Sequence, residues 1–117
     1  VGQQLPIPQL AALQPDLLKR LDDSSNRVRV AACASLQPWV LAVAADLPEG
    51  NAAALARSLL LHMDDPDNDV PEAVCAVLEQ LAAARPPTIR PLVEAAAVQH
   101  SRHLLWNRVV AACGAPV

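Results

Sequence analysis

Apolar residues recur at three- and four-residue steps along most of the chain, the spacing that lines one face of an α-helix. Val28, Ala31, Ala32, Leu36, Trp39, Val40 and Val43 form one such series. Val70, Ala73, Val74, Val77, Leu78 and Leu81 form another. No stretch alternates with period two, so the pattern predicts an all-α fold with strand content near zero.

Capping residues and prolines set the expected boundaries. A first helix runs from about Pro8 to Asp22, with Pro15 kinking it or restarting it from a first turn. Asp23–Asn26 is the turn, and Ser25 or Asn26 caps the second helix, whose side chain accepts from free backbone N–H groups. That helix continues to about Ala45 and contains Pro38, which removes one hydrogen bond to Ala34 and predicts a bend. Asp46–Gly50 reads as a linker, with Asn51 capping a third helix that ends near Met63. Asp69 caps a fourth, with Pro71 in its first turn, running to about Ala84. Arg85–Pro87 is the next linker, Thr88 caps a fifth helix ending near Gln99, and a last helix covers Arg102–Cys113. Gly114–Val117 reads as a frayed end.

These helices come in copies. Leu17–Leu36 reads LLKRLDDSSNRVRVAACASL, and Leu59–Leu78, 42 residues on, reads LLLHMDDPDNDVPEAVCAVL. Ten of the twenty positions are identical without a gap. A third, weaker copy appears where Val110-Ala111-Ala112-Cys113 repeats Val30-Ala31-Ala32-Cys33. A period in this range marks stacked helix pairs, each unable to bury its apolar face alone. The expectation is an α-solenoid of about three antiparallel pairs over 8–45, 51–84 and 88–113. It fills 1–117 as a single array, read as the C-terminal fragment of a longer one. The repeat positions are Asp23, Val28, Ala32, Cys33 and Leu36, then Asp65, Val70, Cys75 and Leu78, then Cys113.

The unit Leu18-x-x-Leu21-x-Asp23-x4-Val28-Arg29-x-x-Ala32-x-x-Ser35-Leu36 resembles the HEAT motif. That resemblance implies a ladder of Asp and Arg contacts through the inner turns. Here Asp23, Arg29 and Asp65 are available, while Pro71 and Val109 stand where further Arg residues belong, so the ladder is at best partial. The strings KRLDDSSN and HMDDPD narrow the likeness to the HEAT-repeat class of dynein axonemal assembly factors. It implies a cytoplasmic protein that helps preassemble the dynein arms of motile cilia. Its partners would be axonemal dynein chains, chaperones and other assembly factors. HEAT scaffolds of another class, nuclear-transport adaptors or phosphatase regulatory subunits, remain the alternative.

Composition narrows the function. The net charge is −3, and the nine Lys and Arg are scattered rather than gathered into a stripe. Tyr and Phe are absent, which removes most stacking platforms for bases. Nucleic acid is therefore not an expected partner. Val1–Leu13 has no basic segment ahead of an apolar core, and apolar runs such as Trp39–Ala45 are short for a bilayer, so no membrane role is expected. The odd cysteine count argues against a secreted disulfide framework.

Few residues suggest chemistry. Asp65, Asp67 and Asp69 alternate as in a calcium loop, but Val70 and Ala76 occupy the places of its Gly and bidentate Glu. His100 and His103 have helical spacing but no Cys or carboxylate at a matching step. Cys33, Cys75 and Cys113 fall at equivalent places, which points to packing rather than catalysis. Glycine-rich phosphate loops and cofactor fingerprints are lacking. No catalytic residue, metal, cofactor or small-molecule substrate is expected. Trp39 aligns with Leu81 and is expected to pack. Trp106 either caps the last repeat or anchors a partner. The candidate protein contacts are Arg27, Arg29, Glu72, Glu79 and Trp106, on the helices expected to line the concave side.

Overall fold

The computed structural model describes residues 12–63, 69–97 and 103–114. Among them the chain is helical with no strand. The helices are α1 (Gln14–Leu21), α2 (Asn26–Val43), α3 (Glu49–Leu61), α4 (Asp69–Ala84), α5 (Pro86–Ala97) and α6 (His103–Ala112). A short 3₁₀ turn, Ala44–Asp46, follows α2. Asp65, Asp67 and His100, with the part of the first helix expected before Ala12, lie outside the described residues.

The local chemistry explains where each helix begins. α1 has Pro15 and Asp16 in its first turn and Lys19 and Arg20 in its last, matching the helix dipole at both ends. α2 is capped by Ser25, whose extended backbone brings its Oγ to accept from Val28 N–H at 3.4 Å. Asp23 Oδ1 in turn accepts from Ser25 N–H at 2.8 Å, fixing the turn. α2 continues through Pro38. Ala34 and Pro38 are both exposed, so the bond is lost on the solvent side of the helix.

Two expected starts move. α3 begins at Glu49 rather than after Asn51, because Pro48 sets the entry and its carbonyl accepts from Ala52 N–H. Gly50 and Asn51 are therefore helical rather than linker and cap. α5 begins at Pro86 rather than Thr88, since two prolines without N–H groups cost nothing in a first turn. Thr88 N–H donates to Arg85 carbonyl at 3.1 Å, and its hydroxyl serves another helix.

The helices pack in two rows. α1 meets α2, α3 meets α4 and α5 meets α6, each helix lying on its sequence neighbour. The even helices pack on one another in order, α2 on α4 and α4 on α6, and the odd helices do the same. One continuous core results, in which Leu21, Leu36, Leu55, Leu59, Leu78 and Leu81 are fully buried. Burying each such leucine contributes roughly 1.5–3 kcal/mol relative to leaving it exposed. Polar contacts tie adjacent pairs: Gln14 Nε2 donates to Asn51 carbonyl at 3.0 Å, and His62 Nε2 lies 3.3 Å from Asp22 Oδ1.

Two readings of the repeat change. Val28 is 37% exposed while its counterpart Val70 is fully buried. Cys33 and Cys75 lie well inside α2 and α4, whereas Cys113 follows the last residue of α6; all three are buried. α6 ends there because Gly114 takes φ +85°, the left-handed conformation that glycine adopts without strain.

The apolar length of α2 also exceeds expectation. Asn26–Asp46 is long and apolar enough by length and composition to cross a membrane, with mean hydropathy 1.5. Gln37 and Pro38 interrupt the run but add no charge. Ala32, Cys33, Leu36, Trp39, Val40 and Val43 place one side of this helix in the protein core.

Leu78→Ala is expected to lower unfolding free energy by about 3 kcal/mol, because the rigid core around it leaves a cavity. Leu41→Ala, on the same scale, should change it by less than about 0.5 kcal/mol. Urea unfolding of both variants measures the difference.

Candidate protein-contact surface

The candidate contact residues divide once their surroundings are known. Arg27 is exposed at the start of α2. Arg29, half-buried, donates through Nη2 to Asn26 Oδ1 in its own helix. Asp23 already accepts from Ser25, so these contacts close the turn locally.

Glu72 and Glu79 are paired within the protein. Arg108 Nη1 donates to Glu72 Oε2 and Arg108 Nη2 to Glu79 Oε1, each at 2.7 Å. One guanidinium thus spans two turns of α4 and fixes α6 on it, a use that the planar donor fork of Arg suits. Trp106 is 2% exposed and belongs to the core, so it is no surface anchor. Its indole fills the space between α6 and its neighbours, and aromatic burial outweighs what an exposed ring offers a partner. Trp39 is also buried, as its alignment with Leu81 predicts.

Arg108 and Arg85 were not singled out by the sequence reading. Arg108 carried a signal, because it stands where the first two copies have Val28 and Val70. Arg85 carried none, lying in a linker that differs between copies. It nevertheless holds three acceptors. Its Nη1 donates to Ala44 carbonyl at 3.0 Å and Leu47 carbonyl at 2.6 Å, and its Nη2 to Glu49 Oε2 at 2.9 Å. The carbonyls that end α2 and its 3₁₀ turn have no helical partner of their own, and the guanidinium satisfies them. Thr88 Oγ1 donates to Glu49 Oε1 at 2.7 Å, so both carboxylate oxygens are held. These bonds, first that from Thr88 and then that from Arg85, hold the Glu49 carboxyl below its ordinary value of 4.5.

One exposed stretch of α2 is uncharged. On α2, Ala31, Ala34, Ser35, Pro38, Leu41 and Ala42 are all exposed. Their three- and four-residue spacing makes one uncharged stripe, with Leu41 73% exposed. At its N-terminal end a shallow groove of about 370 Å³ opens between α2 and α4, lined by Asn26, Arg27, Val30, Ala31, Ala34 and Asp69. The corresponding stripe on α4 is partly closed: Val77, the counterpart of Ser35, is buried like Val70.

The three thiols are free and buried. Burial pushes Cys33 and Cys75 up to about 11 and raises Cys113. Cys75 Sγ lies 3.5 Å from Leu105 carbonyl, a packing position between α4 and α6. Among the described residues no group of three His, Cys, Asp or Glu is arranged to hold a metal ion. The calcium-like turn and the His100–His103 pair fall mainly on undescribed residues.

Comparison with protein-family models, with curated proteins and with solved structures found no match.

Two outcomes are expected. With a thiol pKa near 11, the thiolate fraction at neutral pH is on the order of 10⁻⁴. Cys33 and Cys75 should therefore resist a chromogenic disulfide reagent in the folded protein and react promptly in denaturant. The second concerns Glu49. Its folded value is depressed, so the stabilisation is full above the ordinary carboxylate range and is lost as pH falls through the folded value. Thermal melts of Glu49→Gln should lack that acid-limb decline while the parent protein shows it.

Proposed function

We propose that this chain is a non-enzymatic protein-interaction scaffold, an α-solenoid of HEAT type built from about three helix pairs. What supports the architecture is the ordered packing of even helices on even and odd on odd, together with the 42-residue self-match. What supports the function is the uncharged, exposed stripe of α2 beside its groove. Apolar surface kept in contact with water marks a site that another protein covers.

The internal copies refine this. In α4 the places of Val28 and Ser35 are Val70 and Val77, both buried where helices pack on either side. α2 therefore keeps uncovered the part of this face that α4 has closed, while the counterparts of Leu41 and Ala42, Ala83 and Ala84, are exposed as well. A helix of further array, or a helix of a partner, is the element that suits it. The likeness of KRLDDSSN and HMDDPD to the dynein axonemal assembly factors supports a cytoplasmic role in preassembling dynein arms. Dynein chains, chaperones or other assembly factors would be the partners, and no cofactor takes part. Arg27 and the α2 stripe are the contact residues in this reading. Glu72 and Glu79 act as structural anchors for Arg108 instead.

Affinity capture with the purified chain on extract from ciliated cells tests the proposal. Dynein heavy or intermediate chains should be enriched, and Leu41→Asp should reduce their capture at least fivefold without lowering the melting temperature. Enrichment of nuclear-transport or phosphatase components in their place would support the other HEAT classes. Equal capture by both forms would overturn the assignment of the α2 stripe.

A further inference from the structure

The junction around Arg85 has a property that packing alone does not require. Its hydrogen bonds converge on one exposed carboxylate, Glu49, from two directions, and one of the donors is a hydroxyl. Thr88 is half-buried, and its contact with Glu49 lies on the protein surface. Arg85 stands three residues before Thr88 and Arg90 two residues after it. A cation at the third place before a hydroxyl is a charge pattern by which some protein kinases choose substrates. Thr88 also sits in the first turn of α5, where added negative charge meets the positive end of the helix dipole.

We propose that Thr88 is a phosphorylation site, and that its modification releases the junction by moving Arg85 from a partner on α3 to a partner three residues further along the chain, in the first turn of α5. A protein kinase with basic-residue preference supplies the reaction, with a nucleoside triphosphate as donor. Thr88 Oγ attacks the γ-phosphorus, the Oγ–P bond forms and the bond to the β-phosphate oxygen breaks. The nucleoside diphosphate leaves with that electron pair, and the hydroxyl proton passes to the kinase's catalytic carboxylate.

The consequence follows from the donor inventory. The hydroxyl that donated to Glu49 Oε1 no longer exists. In its place stands a group of about −1.5 to −2 charge, directly against a carboxylate. Glu49 is repelled, and the phosphate oxygens compete for Arg85 Nη2, the atom that had held Glu49. Glu49, in the first turn of α3, loses its hydrogen bonds from Thr88 and from Arg85. The bonds from Arg85 Nη1 to the carbonyls of Ala44 and Leu47 are strained or lost as the guanidinium turns. The device thus loosens one helix pair from the next, where the curvature of a stacked array is set. It does not depend on the identity of any partner.

The test uses the purified chain treated with a basic-directed kinase and ATP. Mass spectrometry should find the phosphate on Thr88, and hydrogen exchange across residues 44–52 should quicken about tenfold. Three variants separate charge from the lost hydrogen bond. Thr88→Val should lower the melting temperature slightly and Thr88→Glu distinctly more. Glu49→Gln added to Thr88→Glu should recover the difference, because the repulsion is gone. Absence of phosphate from Thr88, unchanged exchange, equal melting of the Val and Glu variants, or failure of Glu49→Gln to restore stability would each overturn the proposal.

Discussion

Everything in this fold depends on α4 being buried from several sides at once. It packs on α2, α3, α5 and α6, and eight of its residues, from Val70 to Ala82, are buried. The chain has no Phe or Tyr with which to fill wide gaps, so burial has to come from close helix approach. Alanine, cysteine and valine on the facing surfaces permit that approach, and the leucines at Leu36, Leu78 and Leu81 fill what remains. Contact with several neighbouring helices at once is the condition for their burial.

Polar groups adjust this packing instead of driving it. Arg108 spans Glu72 and Glu79 on the surface of α4, where ion pairs are individually worth little and serve mainly to set the position of α6. Arg85 has a different role. It is largely shielded, and it satisfies carbonyls at the end of α2 that the helix itself cannot satisfy. The exposed Glu49 and the half-buried Thr88 complete that arrangement from the solvent side. The same contrast separates the buried thiols, which burial pushes up, from the α2 stripe, which is uncharged and exposed.

Helix content, the Ser25 cap, the passage of α4 from Asp69 to Ala84 and the burial of Leu36 and Leu78 were all legible in the spacing of apolar residues and in local capping chemistry. The starts of α3 and α5 were misplaced. Pro48 and the Pro86-Pro87 pair were read as linker, whereas proline without an N–H is at home in or just before a first turn. The candidate contacts fared unevenly. Sequence identified Glu72 and Glu79 as charged and Trp106 as large, but nothing in either description says what stands opposite.

The chain by itself determined the class of fold, because periodicity, caps and copied strings are local properties and each was written within a few residues. Only the tertiary structure decided which equivalent positions are equally buried. Val28 and Val70 occupy the same place in their copies, yet one meets water and the other meets a neighbouring helix. Burial is a property of what lies across the interface. The same is true of Arg85, whose acceptors, between the end of α2 and the first residue of α3, lie 36 to 41 positions earlier in the chain.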